Sequence, residues 1–142
     1  MRHSNHSIVA LVQMRSSENK EENLKASVDF ISKAADRNAS LICFPEFQMA
    51  FSPLKQSPKD LANNVAEYID GGNFVSALCR SAKRNKIGVI ATVYERNKNK
   101  NEYKVYDTAV IINNKGQITS VYRKLHLYNA LGFRESDKLI QG

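Results

Sequence analysis

Long apolar runs and cysteine frameworks are both missing from this sequence. No apolar run approaches the roughly 20 residues of a membrane-spanning helix, and the opening letters MRHSNHS lack the apolar core of a signal peptide. We therefore expect a cytoplasmic protein that does not enter a membrane. Its two cysteines, Cys43 and Cys79, are too few for a disulfide framework.

Metal-binding patterns are missing as well. The spacing of the two cysteines from the three histidines fits no zinc site; the histidines are His3, His6 and His126. We expect neither a metal ion nor another cofactor.

Internal repeats, low-complexity tracts and long linkers are also absent. A chain of 142 residues is long enough to bury roughly two thirds of its unfolded surface. Its apolar fraction of 42% and charged fraction of 25% are those of an ordinary globular protein. We therefore expect residues 1–142 to belong to a single domain.

The composition is unusual only in its net charge of +7. The basic residues are dispersed over predicted helix ends and a predicted hairpin tip, RNKNKNEYK, without the Gly-rich aromatic signature of an RNA-binding sheet. Such dispersed charge is typical of a solvated surface, so we expect no nucleic-acid partner. The alternative, a basic nucleic-acid-binding protein, predicts binding that weakens steeply with salt.

Hydrophobic periodicity predicts five strands and two helices in the order β-α-β-α-β-β-β. Asn19 and Glu22 resemble a capping pair at the start of the first helix. The strand segments are HSIVALVQM, SLICF, KIGVIATVYE, EYKVYDTAVII and QITSVYRKLHL, with the turn NNKG between the last two. The helical stripes are Leu24, Val28, Ile31 and Ala35, then Val75, Leu78, Cys79 and Ala82.

This order favours an α/β fold with a mixed sheet. The first and third strands are apolar enough to be buried on both faces. Two helices, however, cover only one face of a five-stranded sheet. We therefore expect something outside these 142 residues to cover the other face.

Two charged residues stand at the ends of predicted strands. Glu46 follows the second strand after Pro45, and Lys124 ends the fifth. Ligands of open α/β sheets bind outside the carboxyl ends of the strands. Strand alternation places Arg123 and Lys124 on opposite faces, so only one of them shares a pocket with Glu46. From the pattern alone, a catalytic pair and a solvated surface pair both stay open, and surface pairs are the commoner case.

Five segments of the chain form an ordered series: IVALVQM, ASLICFPEF, GVIATVYER, YDTAVIINNKGQITSVYRKLHLY and FRES. In order and spacing they resemble the first half of a nitrilase-superfamily carbon–nitrogen hydrolase, from about Ser7 to Gly142. FPE alone is a weak signal, but FPE and YRKLHL in order around the YDTA hairpin are a strong one. The resemblance implies one incomplete domain over residues 1–142, half of a four-layer α-β-β-α sandwich with helices on one face of a mixed sheet.

The resemblance also implies a Glu–Lys–Cys triad that hydrolyses carbon–nitrogen bonds. Glu46, in FPE, corresponds to the general base, and Lys124, in YRKLHL, to the lysine that stabilises the oxyanion. Glu135, in FRES, matches the position of an additional active-site glutamate. The implied substrates are small amides or N-carbamoyl compounds rather than nitriles.

The nucleophilic cysteine of the triad has no counterpart in this sequence. In the family it lies in a segment like CYDxRFPE, beyond the equivalent of Gly142, whereas Cys43 and Cys79 have the apolar neighbours of core residues. We therefore expect the chain to be inactive alone, as a truncated product, part of a split gene or a fragment. The alternative is a non-catalytic interaction module that pairs with itself or with a separately encoded second half.

Other residues near these motifs have simpler expected roles. The resemblance gives His126 a structural hydrogen bond rather than the role of base, although histidine titrates near neutrality. We expect Tyr128 and Phe133 to line the substrate entrance. Packing or pocket-wall roles are expected for Tyr122, Arg123 and Glu95.

Overall fold

A computed structural model describes residues 7–99 and 101–142. The main sheet contains β1 Ile8–Leu11, β2 Ala39–Cys43, β3 Gly88–Glu95, β4 Tyr106–Ile112 and β5 Ile118–Arg123. The helices are α1 Lys20–Asp36, the short α2 Pro58–Asp60 and α3 Asn73–Asn85. His3 and His6, considered above as metal ligands, and Lys100 of the predicted hairpin tip lie outside the described residues. Within those two ranges, no helix is both long and apolar enough to cross a membrane.

The five strands lie side by side in sequence order, β1-β2-β3-β4-β5. β1, β2 and β3 pair in parallel, whereas β3, β4 and β5 pair antiparallel. The predicted α/β fold with a mixed sheet is therefore confirmed. Because β5 reverses the direction of β4, its carboxyl end lies at the same sheet edge as the carboxyl ends of β2 and β3.

The core lies between the sheet and the two long helices. Ile42 of β2, Val89 of β3 and Val110 of β4 face this side and are at most 1% exposed. Ile31 of α1 and Leu78 of α3 pack in the same cluster and are fully buried. The helices thus cover one face of the sheet, as predicted.

α1 begins as its capping residue predicts, because the Asn19 side chain accepts hydrogen bonds from the backbone amides of Glu21 and Glu22. Its buried side differs from the predicted apolar stripe. Asn23 and Ser27 are buried together with Ile31 and Ala34, whereas Leu24, Val28 and Ala35 are only partly buried. Periodicity counts apolar residues only, and it therefore missed two polar residues that bind the loop after β2.

The second face of the sheet carries no helix among the described residues. Val9 and Leu11 of β1 are 49% and 81% exposed, and Ile111 and Tyr122 are also exposed. Only one layer covers the sheet among the described residues, as expected for two long helices, and a cover for this second face from outside the 142 residues stays a prediction. Cys43 points to this open face and is only partly buried, so it lies outside the core formed by the described residues.

The turn between β4 and β5 packs on α3. Asn113 Oδ1 accepts hydrogen bonds from the amides of Lys115 and Gln117, which confirms the predicted turn. Gly116 has a φ of +75°, and a Cβ there would clash with the carbonyl oxygen of Cys79. A glycine is therefore needed for both conformation and space.

The chain after β5 forms structure that periodicity did not predict. Two short strands, β6 Asn129–Ala130 and β7 Phe133–Arg134, make a small hairpin. A single 3-10 turn, Glu135–Asp137, follows it. This hairpin and turn place Glu135 beside the end of the main sheet.

Candidate active site

Glu46 and Lys124 meet at the carboxyl edge of the sheet. Glu46 lies three residues after the end of β2, and Lys124 directly follows β5. Lys124 Nζ donates a hydrogen bond of 2.7 Å to Glu46 Oε1. The predicted pair is thus brought together, and Arg123 points to the opposite face, as strand alternation requires.

The loop that carries Glu46 is fixed to the neighbouring strand β3. Thr92 Oγ1 donates to the carbonyl oxygen of Pro45 at 2.8 Å, and Gln48 N donates to Thr92 Oγ1 at 3.2 Å. The buried Gln48 side chain accepts from Thr92 N and donates to Ser27 Oγ of α1. Residues on both sides of Glu46 are therefore held by hydrogen bonds, which limits the movement of its backbone.

Glu135 holds the second side of the Lys124 ammonium. Lys124 Nζ donates to Glu135 Oε1 at 3.0 Å, and Tyr128 N donates to Glu135 Oε2 at 2.7 Å. Glu135 N in turn donates to the carbonyl oxygen of Tyr128. All three residues predicted from the motifs, Glu46, Lys124 and Glu135, therefore lie in one cluster.

Asp107 of β4 is a third carboxyl group in this cluster, and it was not predicted from the motifs. Its Oδ2 lies 3.9 Å from Lys124 Nζ, and the residue is only 8% exposed. Asp107 pairs with Tyr94 of β3 across the sheet. A hint was present in the sequence, because Asp107 is the charged residue in the strand segment YDTAVII. It lies two positions before Ala109 and therefore on the same face of β4.

The charges of the cluster shift its pKa values in different directions. Burial would raise the pKa of Glu46, but hydrogen bonds from Lys124 and Asp107 and the Lys124 charge hold it below the usual value. Burial, then the hydrogen bond to Glu46 and the Glu46 charge, raise the pKa of Asp107 to about 7, against the opposing charge of Lys124. Burial opposes the charged form of Lys124, but hydrogen bonds to Glu46 and Glu135 keep its pKa above the usual value. At neutral pH, an ionised glutamate therefore faces an ionised lysine.

A cavity of about 550 Å³ opens beside these charges. This volume lies within the range of about 300–1,000 Å³ common for small-molecule sites. Its walls are mainly apolar and aromatic: Phe47, Phe51, Leu54, Leu61, Tyr94, Tyr128, Leu131, Phe133 and Leu139. Tyr128 and Phe133 therefore line this cavity, and their place at a substrate entrance stays a prediction.

Lys138 is one of three cationic residues in the wall of this cavity, with Lys124 and Arg134, and Arg134 is paired with Asp137. Its Nζ donates to Ser52 Oγ and to the carbonyl oxygen of Pro53, both uncharged acceptors. Among the described residues, no carboxylate lies within 4 Å of Lys138 Nζ. Partial burial lowers the pKa of this lysine. The cavity thus has an apolar body with one cation that lacks a carboxylate partner in the described structure.

Arg123 belongs to a separate cluster on the helix side of the sheet. It donates two hydrogen bonds to the buried Glu95, at 2.8 and 2.6 Å, and lies 4.3 Å from the centre of the Tyr106 ring. Thr108 Oγ1 also donates to Glu95. Arg123 and Glu95 thus form an ion pair away from the candidate site, consistent with their expected packing role.

The remaining titratable candidates do not join the site. His126 is exposed and makes no side-chain hydrogen bond with the described residues, so its expected structural bond is not found. Burial raises the pKa of both the Cys43 and the Cys79 thiol, which favours the unreactive protonated form. Within residues 7–99 and 101–142, no group of three or more His, Cys, Asp or Glu side chains is arranged to hold a metal ion.

Comparison with known proteins decides the family. The family model described as "Carbon-nitrogen hydrolase" matches residues 8–142. This chain belongs to the carbon–nitrogen hydrolase family. The resemblance seen in the motifs is thereby confirmed.

Individual relatives within the carbon–nitrogen hydrolase family are moderately similar. "Nitrilase homolog 2" of Dictyostelium discoideum is 32% identical over 137 residues, which cover 92% of this chain and 39% of that protein. "Deaminated glutathione amidase" of the same organism is 30% identical over 124 residues, covering 85% of this chain and 42% of that protein. This chain therefore spans well under half the length of these relatives.

A solved structure has the same fold. It is a mutant of the amidase from Nesterenkonia sp. AN1, described as showing covalent addition of the acetamide moiety of fluoroacetamide at the active-site cysteine. The two chains share 20% identity with a TM-score of 0.77, and the match covers 99% of this chain and 49% of the amidase. The described residues thus have the same fold as about half of this amidase.

Proposed function

We propose that this chain supplies the general base and the oxyanion-stabilising lysine of an enzyme that hydrolyses small amides or N-carbamoyl compounds. The proposal is carried by one observation, the Lys124 ammonium bonded to both Glu46 and Glu135 beside an apolar cavity. Membership of the carbon–nitrogen hydrolase family and the amidase names of relatives support the same reaction class.

The first half of the proposed reaction forms an acyl-enzyme. Ionised Glu46 accepts the proton of a cysteine thiol, and the resulting thiolate attacks the carbonyl carbon of the amide. The carbonyl oxygen becomes negative, and the Lys124 ammonium stabilises that charge. The carbon–nitrogen bond then breaks as protonated Glu46 returns its proton to the departing nitrogen.

The second half of the proposed reaction uses the same groups in the same order. Glu46 takes a proton from water, the water oxygen attacks the thioester, and Lys124 again stabilises the negative oxygen. The thiol leaves with the proton from Glu46, and the carboxylic acid is released. Glu135 holds Lys124 throughout, since it accepts a second hydrogen bond from the same ammonium.

The nucleophile of this proposal comes from outside the 142 residues. The thiols of Cys43 and Cys79 are held in the protonated form by burial, and Cys79 packs against the helix-side core. In the Nesterenkonia amidase an active-site cysteine receives the acetamide moiety, which supports a thiol nucleophile and a small acyl group here. We therefore expect the isolated chain to have no amidase activity.

The first test measures ammonia release by the purified 142-residue protein from small amides and N-carbamoyl compounds. No turnover is expected. Turnover that disappears in Cys43→Ala or Cys79→Ala would refute the external nucleophile.

The second test joins residues 1–142 to the second half of the Dictyostelium nitrilase homolog 2. We expect the folded chimera to hydrolyse amides and its Glu46→Gln variant to lose this activity. Full activity of the Glu46→Gln variant would refute the role of Glu46 as the base.

A second candidate function is a non-catalytic interaction module. The open face of the sheet favours it, because it exposes Val9 and Leu11 on β1, Ile111 on β4 and Tyr122 on β5. Exposed apolar surface of this kind is a common feature of protein interfaces. The module would pair with itself or with a separately encoded second half, and light scattering that finds a stable monomer at all concentrations would count against self-pairing.

A further inference from the structure

Lys138 stands out among the three cations of the cavity wall because, within the described residues, it has only uncharged partners. Its Nζ donates to Ser52 Oγ at 2.9 Å and to the carbonyl oxygen of Pro53. An ammonium has three N–H donors, so one donor of Lys138 has no partner in the described part of the chain. The wall therefore contains a charged donor that is available to a ligand.

The charges of the cavity wall leave one cation in excess. The charged residues that line it are three cations, Lys124, Arg134 and Lys138, and two carboxylates, Glu46 and Glu135. Both carboxylates are bonded to Lys124, so neither of them neutralises Lys138. Most of the remaining wall is apolar or aromatic. In such surroundings, a negative charge on a ligand gains more from contact with an ammonium than it does in open water.

The backbone of Lys138 is fixed by the same short turn that positions Glu135. Lys138 N donates to the carbonyl oxygen of Glu135 at 3.0 Å across this 3-10 turn. Val105 N, just before β4, donates to the carbonyl oxygen of Lys138 at 3.1 Å. Both backbone polar groups of Lys138 are thus hydrogen-bonded, and its side chain lines the same cavity as Lys124.

We propose that Lys138 is a specificity-determining residue that binds a carboxylate of the substrate, so that the preferred substrates are small amides or N-carbamoyl compounds with a carboxylate at their other end. This inference rests on the proposed function, which assigns Lys124 to the carbonyl oxygen of the amide. Lys138 is then the cation left for a second polar end. A substrate with two polar ends and an aliphatic middle matches a cavity with two ammonium groups in an apolar wall.

The test is an NMR titration of the ¹⁵N-labelled 142-residue chain, which measures binding without turnover. The probes are the monoamides of malonic, succinic and glutaric acid, each compared with its uncharged methyl ester. At least one acid should bind about tenfold more tightly than its ester, and it should shift the backbone amide signals of Ser52 and Lys138. Lys138→Met should remove this preference for the acid, whereas Lys138→Arg, which keeps the charge, should retain most of it.

Two further variants separate the charge of Lys138 from its hydrogen bonds to the loop after β2. Ser52→Ala removes one of these bonds and keeps the ammonium, so the preference for the acid should remain. Lys25→Met removes a lysine charge from an exposed position on α1 and should also leave the preference unchanged. If Ser52→Ala loses the preference as completely as Lys138→Met, Lys138 acts only as a tether for this loop and the inference is wrong.

Three other results would overturn the inference. The first is equal binding of every acid and its ester by the unaltered chain. The second is a preference that disappears in the folded chimera, because a carboxylate of the second half would then be the partner of Lys138. The third applies if Lys138→Met does not fold: acid-specific shifts in the unaltered chain that leave out Ser52 and Lys138.

The titration also keeps this inference separate from the proposed function. A chimera that prefers the acids but hydrolyses no amide would refute the proposed function and leave the carboxylate site in place. A chimera that hydrolyses amides but binds acids and esters equally would refute the carboxylate site alone.

Discussion

Lys124 Nζ lies 2.7 Å from Glu46 Oε1, although the two residues are 78 positions apart in the chain. The contact follows from strand direction, because β2 and β5 both end at the same edge of the sheet. It also follows from register: a shift of β5 by one residue would present Arg123 in place of Lys124. The candidate site is thus a consequence of how the sheet is paired.

The first prediction concerns the two residues of this contact. In the chimera described above, Glu46→Gln removes the base and Lys124→Met removes the cation that faces the oxyanion. Each substitution should lower kcat for amide hydrolysis by about 10²- to 10⁴-fold. Ammonia release measures the effect, and circular dichroism checks that the fold is kept.

Two exposed residues provide matched controls for these variants. Glu18→Gln and Lys25→Met make the same chemical changes at the surface, before and within α1. Both should retain the activity of the parent chimera. An equal loss of activity in the controls would mean that the site variants act through general damage.

The second prediction is the pH dependence of stability caused by Asp107. Its pKa rises from the ordinary 3.8 to about 7 on folding, so the folded chain binds more protons than the unfolded chain between these values. The free energy of unfolding should therefore fall as pH rises from about 4 to about 7, by at most about 1.4 kcal/mol per pH unit for one group. The lowered pKa of Glu46 acts in the opposite direction, but its contribution is complete above its ordinary pKa of 4.5.

Asp107→Asn should remove this slope, because the amide does not titrate. Urea unfolding at several pH values between 4 and 7 measures it. Asp29→Asn removes the same charge from an exposed position on α1 and should leave the slope unchanged. If the free energy of unfolding changes with pH in the same way in the unaltered chain and in Asp107→Asn, Asp107 is not the titrating group.

Local patterns predicted the order of strands and helices along the chain and the residues that follow the strands. FPE and YRKLHL each place a charged residue just after an apolar run, and the mixed sheet then brings Glu46 and Lys124 to one edge. Asp107 could not be predicted in the same way. Its place in the cluster depends on the antiparallel register of β4 with both neighbours, and that register is a property of three strands together.

The buried side of α1 shows a second limit of sequence patterns. Asn23 Nδ2 donates to the carbonyl oxygens of Ser17 and Met49, and Ser27 accepts from Gln48. These polar residues are buried because they bind backbone and side chains of distant segments. Such partners are not visible from the periodicity of one helix.

The third prediction concerns the buried Glu95 carboxylate on the helix side. Arg123→Met leaves this charge with Thr108 as its remaining side-chain donor. Loss of the charged partner should lower the free energy of unfolding by about 1–3 kcal/mol. Urea unfolding measures the change, and Arg80→Met, at an exposed position on α3, should have little effect. If both variants are equally stable, the Arg123–Glu95 pair contributes nothing to the fold.

The fourth prediction separates two reasons for the glycine between β4 and β5. Gly116→Ala places a side chain at positive φ and against the carbonyl oxygen of Cys79. Gly71 also has a positive φ, of +89°, but a Cβ there meets no atom within 4 Å. Gly71→Ala should therefore cost about 1–2 kcal/mol for the backbone alone, and Gly116→Ala should cost more. Equal losses in urea unfolding would mean that the turn moves away from α3 at little cost.

The fifth prediction concerns the open face of the sheet. If its apolar side chains drive association, the molar mass from light scattering should rise with the concentration of the 142-residue chain. Leu11→Lys and Tyr122→Lys place charges on this face, at positions 81% and 57% exposed, and should reduce the rise. Leu131→Lys is the matched control, because Leu131 is 90% exposed but lies at the tip of the β6–β7 hairpin. If Leu131→Lys reduces the rise in molar mass equally, association depends on total charge. If only the two sheet variants reduce it, they identify the face that a second half or a second copy covers.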